Sequence, residues 1–422
     1  MEFQSSHKPS PSGLLSSQGR SGSVRVLFLH AALDHLSAEY KVHKVLAESA
    51  DSHGVESFFI WQRGARSTGD NAIRFAWPER VRYLDFGRDL STSPQVGRLG
   101  RGLRMLRSLP GATLALLAYV RTIQPDLIYT SQQIYDVRIA RIISRLTRVP
   151  HVIHIHYTVG HWLGGDVMKA MHQNPRLIAV SEFIRQNAML QGINPSDVST
   201  VPNSIDPEVF QHTGDRAALR AEFGWEPDTP VLLSAGRLDQ MKGHLQLLDR
   251  FALVRAQMPH ARLLICGRMQ SLSNYPDLLH QRVIELGLQG SVAFAGHRYD
   301  LPEIMRAADV FVLLSEMEPF GLVFLEAMAA RLPVVAYYSG AIPEIVVDGV
   351  TGLLSYPEHP EPLVQNLVRL LSNRSLASQL GAAGSARAAN HFSSERIAPL
   401  WATLIYRFAG KVAPISIASA VG

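Results

Sequence analysis

Short runs of nearly unbroken apolar residues recur along this chain, separated by stretches of helical period. No other feature constrains the fold as much. In the first half the runs are VRVLFLH (24–30), VESFFIWQ (55–62), VRYLDF (81–86), LIYTSQ (127–132), HVIHIHY (151–157) and RLIAVSE (176–182). In the second half they are VLLSAG (231–236), RLLICG (262–267), VAFAGH (292–297), VFVLLS (310–315) and PVVAYY (333–338). Continuous apolar strands alternating with helices are the pattern of parallel sheets covered on both faces. Two such series predict an α/β chain with two doubly wound domains. The charged, Gly- and Pro-containing stretch 207–228 carries no strand pattern and reads as the seam. The expected division is a flexible tail over 1–22, one domain over 23–212, a second over 213–392, and a small apolar tail over 411–422. A helix over about 393–409 follows the second series. Its spare apolar positions Trp401, Leu404, Ile405 and Phe408 predict that it packs back on the first domain.

Composition narrows the function classes. Of 422 residues, 46% are apolar, enough for large cores. The single cysteine, Cys266, excludes internal disulfides and cysteine metal sites, fits a reducing compartment, and reads as a small buried hydrophobe. No stretch approaches ~18 uninterrupted apolar residues, so no membrane span is expected. The Ser-, Gly- and Pro-rich first residues lack the apolar core of a signal peptide. Residues 1–212 hold 23 Lys and Arg against 17 Asp and Glu, whereas the remainder holds 18 against 19. The basic first half hints at an anionic partner. No zinc finger, RNA-binding aromatic motif or helix-turn-helix signature points to nucleic acid.

In doubly wound sheets, ligands bind outside the C-terminal ends of the strands, so chemistry is sought in the loops there. GRLDQMKGH (236–244) places Arg237 and Lys242 on either side of a turn, with Gly243 opening a helix. Two cations and a helix N-terminus suit a diphosphate, although an Arg and a Lys in a loop are often merely solvated. SEMEPFGLVFLEAMA (315–329) places Glu318 in a loop, expects a helix to begin at Phe320-Gly321-Leu322, and sets Glu326 about a turn and a half inside it. Taken singly, either Glu reads as an ordinary capping or exposed residue. Carboxylates beside a sugar-nucleotide site accept hydrogen bonds from hydroxyl pairs, and free N–H groups at a helix start hold phosphate.

Glu318 and Glu326 form an E-x7-E pattern, and EPFGLVFLEAMA…PVVA followed by IPEIVVDGVTGLL (342–354) closely resembles glycosyltransferase family 4. GRLDQMKGH is similar to that family's G-R-L-x(3)-K-G loop, VPNSID (201–206) to its V-P-N-G-x-D segment, and AVSEF (179–183) to its x-V-S-E element. The resemblance is continuous over about 176–356. It implies the GT-B fold, two Rossmann-like domains facing a cleft, and retaining transfer from a nucleotide-sugar without an essential metal. It further implies that Glu326 holds the donor ribose and Glu318 the donor sugar, and that Arg237 and Lys242, beside Gly236, hold the diphosphate. The backbone of Phe320, Gly321 and Leu322 would touch sugar and phosphate. The base would sit near Arg268 and the His297–Arg298 turn. The Asp-x-Asp triplet of metal-dependent sugar transferases occurs nowhere in the chain.

The first half is less regular. HVIHIHYTVGH (151–161) holds four histidines; alternation places Val152, His154 and His156 on one strand face, and Ile153, Ile155 and Tyr157 on the other. For His156, sugar contact, packing and metal ligation all stand as readings. The family's comparable His favours sugar contact, and no acid cluster accompanies the His-x-His pair. His151, His154 and His161 read as packing. The acceptor-side loop, including His35 and Ser37, lacks the Gly pair common in a Gly-Gly-x-E pattern; Ser37-Ala38-Glu39 stands there. Arg331 and Ala341 also replace glycines common in the family. Over 96–107, arginines 98, 101, 104 and 107 give a cationic stripe beside apolar residues. It reads either as an anionic membrane surface or as a solvated face, with Pro110-Gly111 separating it from the helix that follows. By analogy the acceptor would be a glycan or polyprenyl-linked glycan of bacterial surface polysaccharide synthesis, including lipopolysaccharide or exopolysaccharide. The site would be cytoplasmic, peripheral on the inner membrane face. A nucleotide-sugar epimerase on the same scaffold and a non-catalytic subunit are the rival readings.

Overall fold

The computed structural model describes residues 22–31, 38–62, 76–86, 98–210, 215–268 and 274–418, with side chains 98–109 left aside. It contains two sheets. The first is built from β1 (Val24–His30), β2 (Val55–Gln62), β3 (Val81–Leu84), β4 (Leu127–Ser131), β5 (His151–Ile155), β6 (Leu177–Ala179) and β7 (Val198–Thr200), in the order β3-β2-β1-β4-β5-β6-β7. The second holds β8 (Val231–Ala235), β9 (Arg262–Cys266), β10 (Val292–Gly296), β11 (Val310–Leu313), β12 (Val334–Tyr337) and β13 (Gly352–Ser355), in the order β10-β9-β8-β11-β12-β13. Every pairing is parallel. The two Rossmann-like sheets form a GT-B fold. β7 and β13 are additions to the expected strands; at three and four residues, with Ser, Thr and Gly among them, they carry too little apolar pattern to stand out.

Strand order reverses between β1 and β4 in one sheet and between β8 and β11 in the other. The crevices for ligands open at these two switch points.

The helix Ser394–Phe408 lies against the first sheet. Trp401, Ile405 and Tyr406 are buried with Val24, Phe28 and Phe59, and the Trp401 indole N–H donates to the Tyr129 hydroxyl at 3.1 Å. Burying such aromatic surface contributes roughly 2–3 kcal/mol per large side chain.

The expected break at Pro110-Gly111 is absent. One helix runs from Arg98 to Ile123 through Pro110. Ala112, Leu116, Val120 and Ile123 pack at helical spacing on Leu27, Leu29, Ile60 and Ile128. That packing outweighs the ~3 kcal/mol cost of an interior proline. The arginine stripe at 96–107 lies outside the described residues and side chains. No described helix is long and apolar enough to cross a membrane.

Candidate active site

Four features bring the second-sheet loops together. Gly243, at φ +68°, lies so close to the end of β11 that an added Cβ would meet the Leu314 carbonyl oxygen at 2.2 Å. A Cβ on Gly267 would meet the Gly236 carbonyl oxygen at 2.0 Å. The Glu316 N–H donates to the Met241 carbonyl at 3.1 Å, and Leu238 N–H to that of Arg268 at 3.1 Å. The loops after β8, β9 and β11 therefore form one surface at the switch point, and only Gly permits the close approaches.

On that surface Lys242 Nζ lies 2.7 Å from Glu318 Oε2, with side-chain exposures of 17% and 7%. The Arg237 guanidinium is half-exposed and pairs with Asp239 at 3.2 Å. Its partner's second oxygen, Asp239 Oδ1, is buried without a hydrogen bond among the described residues. Gly321 caps the helix Leu322–Ala329 at φ +94°, and its missing Cβ would meet Phe324 and the Glu318 side chain. Glu326 is half-buried in that helix, its carboxyl held above the usual range by burial and drawn down by Lys41. Lys41 comes from the first domain, on the helix Ala38–Ala50. The Phe320 side chain is buried against Phe392, which leaves only its backbone to face a ligand. Leu322 packs against the cores of both domains.

The base-side residues separate. His297 is exposed, and its pKa is lowered by partial burial, then by Lys41 and Arg268. Arg268 is exposed beside it. The Arg298 side chain is instead bound to Glu222 and Asp300 and lies over the Phe223 ring, so only its backbone is left toward a nucleotide. His35 and Ser37 lie outside the described residues.

The loop bearing Glu318 is held from three sides. Gly340, at φ +57°, approaches so closely that a Cβ would lie 2.4 Å from the Glu318 carbonyl oxygen and 2.5 Å from its nitrogen. The Ala341 N–H donates to that carbonyl at 2.8 Å, and Met317, itself at φ +53°, donates its N–H to Ser339 Oγ at 2.9 Å. From the first domain, Ser181 Oγ donates to the Pro319 carbonyl at 2.6 Å while also capping the helix Glu182–Leu190. Glu344 returns the link, accepting from the N–H groups of Glu182 and Phe183 at 2.9 and 2.7 Å. AVSEF and IPEI thus join the two domains beside Glu318, a role neither stretch announces by itself.

Family-level matches agree with this geometry. Residues 44–209 match Glycosyltransferase Family 4, and residues 215–387 match Glycosyl transferases group 1. An alpha-maltose-1-phosphate synthase of Mycolicibacterium smegmatis is 30% identical over 289 residues, spanning 60% of this chain and 72% of that protein. The chain belongs to glycosyltransferase family 4. A D-inositol 3-phosphate glycosyltransferase of Segniliparus rotundus is 34% identical over 247 residues, 56% of this chain and 55% of that relative. The alignment therefore spans about half the length of some curated relatives of this family 4 glycosyltransferase. Among solved structures, the Anabaena HepE protein in complex with UDP and glucose superposes with a TM-score of 0.74. It is 22% identical and covers 91% of this chain and 100% of its own.

The first domain of this family member contributes Tyr157 and Gln132, which the sequence did not single out. The Tyr157 phenol is half-buried, its pKa raised by burial and then by Glu39, with Arg237 opposing and Glu318 and Asp239 adding to the rise. Its surroundings thus include Arg237, Asp239 and Glu318 of the second domain. Glu39 is buried and accepts from Gln133 at 3.1 Å. Gln132 holds the chain leaving β5, accepting from the Tyr157 N–H at 3.0 Å and from the His156 N–H. His154 and His156 share a strand face, as alternation requires, with ring centroids 4.1 Å apart. His156 is 6% exposed and turns Nε2 inward to His43 at 3.0 Å. The His151 ring binds Thr130 at 2.8 Å at the far end of the strand.

Proposed function

We propose that this chain transfers a sugar, with retention of anomeric configuration, from a UDP- or GDP-linked donor to a hydroxyl of a glycan or lipid-linked acceptor in bacterial surface polysaccharide synthesis. One observation carries the reading: Arg237, Lys242 and Glu318 meet at the β8/β11 switch point, beside the glycine-capped helix that bears Glu326. A diphosphate seated between Arg237 and Lys242 would exchange the Lys242–Glu318 pair for a Lys242–phosphate contact and free Glu318 for sugar hydroxyls. Glu326, on the helix Leu322–Ala329 that follows the loop bearing Glu318, suits the ribose diol. The backbone of Gly236, Phe320, Gly321 and Leu322 lines the path between, and the base would rest near Arg268, His297 and the backbone of Arg298.

Charge develops on the departing phosphate oxygen, and the two cations are already in place to meet it. Preorganised groups of this kind are worth roughly 3–4 kcal/mol each in a dry site. The acceptor hydroxyl attacks on the face the nucleotide leaves and gives its proton to that oxygen, so no separate base is assigned. His156 stands at the end of β5 beside the place where the sugar would rest, but its ring is turned inward to His43 and it is assigned no contact with the sugar. The UDP and glucose held by the Anabaena neighbour support a uridine donor.

A second acceptor class, a small phosphorylated polyol or sugar, draws support from the names of the Segniliparus and Mycolicibacterium relatives. Incubation with a panel of UDP- and GDP-sugars, each with a polyprenyl-linked glycan or with inositol phosphate and sugar phosphates, tests both readings. The expected result is acceptor-dependent nucleotide release that Glu318→Ala abolishes. Release from no pair, or an unaffected variant, overturns transfer and leaves a non-catalytic subunit; interconversion of donor sugars without release points to an epimerase.

A further inference from the structure

We infer that His43, His154 and His156 form a binding site for one divalent transition-metal ion, best matched by Zn2+, inside the first domain. The three imidazoles come from two elements brought together by the fold: His43 from the helix Ala38–Ala50, and His154 with His156 from β5 and its exit. All three are buried, and one ring nitrogen of each lies within 4.8 Å of the others. His43 Nε2 is 3.0 Å from His156 Nε2 and 3.2 Å from His154 Nδ1. Four-coordinate zinc with Zn–N bonds of about 2.0–2.1 Å sets its ligand nitrogens about 3.3 Å apart. Both short spacings are therefore close to an edge of that tetrahedron.

A neutral imidazole carries one N–H, and His43 Nε2 can give a proton to only one of its two close neighbours. Tyr129 Oη, which accepts from Trp401, already stands 2.9 Å from His154 Nδ1 as its donor. His154 Nε2 and His30 Nδ1 are buried with no hydrogen-bond partner among the described residues. Without a cation, the Tyr129 O–H can fill the lone pair of His154 Nδ1 and the His43 Nε2–H that of His156 Nε2. A metal ion at the centre would take all three lone pairs, in place of the Tyr129 O–H and the His43 Nε2–H.

The surroundings suit a metal. His43 Nδ1 is 3.4 Å from His30 Nε2, so a second imidazole can orient the His43 ring as outer partners of metal-bound histidines do. Glu39 lies buried one helical turn before His43. Neutral nitrogen ligands without a carboxylate favour zinc over magnesium or calcium. The His-x-His pair alone lacks a third ligand; His43, 111 residues before His154, supplies it. The ion would pin the helix bearing Glu39 and Lys41 to β5, fixing the first-domain side of the cleft.

Equilibrium dialysis of the chelator-treated full chain against Zn2+, and separately Co2+, with metal counted by elemental analysis, tests the site. One ion per chain is expected, with the visible bands of tetrahedral Co2+ and a melting temperature that rises with Zn2+. His43→Phe, which keeps a flat ring beside Phe28, and His154→Gln should each lower the affinity tenfold or more and abolish the cobalt bands. Circular dichroism checks that each variant is folded. No stoichiometric uptake by the wild-type chain overturns the site whatever the variants do, and so does unchanged uptake by either folded variant.

Discussion

Lys242 and Glu318, 76 residues apart, form a 2.7 Å ion pair that is largely withdrawn from water at the mouth of the second sheet. A partly buried charge deprived of its partner is costly, and this pair also occupies the place proposed for a diphosphate.

Lys242→Ala therefore loses twice. It leaves the Glu318 carboxylate buried and alone, at a cost of about 3 kcal/mol in unfolding free energy, and it lowers kcat/KM by roughly 10²–10³-fold. Glu318→Gln keeps an oxygen for Lys242 and should unfold close to the wild-type urea midpoint while losing turnover. Urea titration beside a nucleotide-release assay separates the two outcomes.

Gly340→Ala places a methyl where the Glu318 backbone now lies. The loop must shift, and turnover should fall at least tenfold. Gly349 has a similar backbone, φ +73°, with open space around it. Its alanine variant should cost only the left-handed strain of about 1 kcal/mol and keep its activity. Equal effects on kcat in the two variants would sink the clamping role of Gly340.

Arg331 adopts φ +61° at a position where the family commonly has Gly. Its side chain is exposed, so little packing offsets the strain. Arg331→Gly should raise stability by about 0.5–1 kcal/mol, read as a higher urea midpoint with an unchanged slope.

Acid should destabilise the fold well before carboxylates titrate. Burial lowers the pKa of His151 to about 3 and that of His244 to about 4. In the unfolded chain both titrate near 6.5. Above that pH neither state is protonated and the two groups contribute nothing. As pH falls below 6.5 the unfolded state alone binds protons, and stability drops by up to about 1.4 kcal/mol per pH unit for each. The loss levels off once the pH reaches the folded values. His151→Gln should make unfolding free energy less steep between pH 6.5 and 4.5; an unchanged slope would count against its burial as a neutral ring.

The donor half of the cleft was legible because each of its loops is continuous in sequence. Arg237, Lys242, Glu318 and Glu326 lie in two short stretches whose spacing already implies strand, turn and helix start. Tyr157 and Gly340 were not legible as cleft residues, because each gains its role from a partner on another element. Ser181 and Pro319 are 138 residues apart, and nothing local marks their contact. The same holds for His43, an ordinary helical histidine until β5 is folded against it. The continuity of the helix through Pro110 was hidden because its apolar stripe outweighs a local breaker. Arg298 was placed near the base by its turn, yet its side chain answers to Glu222 and Asp300 instead.

The helix Ser394–Phe408 has a consequence for how the chain is made. Trp401 stacks near Phe28 and Tyr129, so the first sheet is roofed by residues synthesised after the whole second domain. During translation that apolar face emerges early, and from Tyr129 it waits 272 residues for Trp401. A fragment ending at residue 210 would carry the same open face indefinitely, and chaperone dependence and aggregation of such a fragment follow from chain order alone.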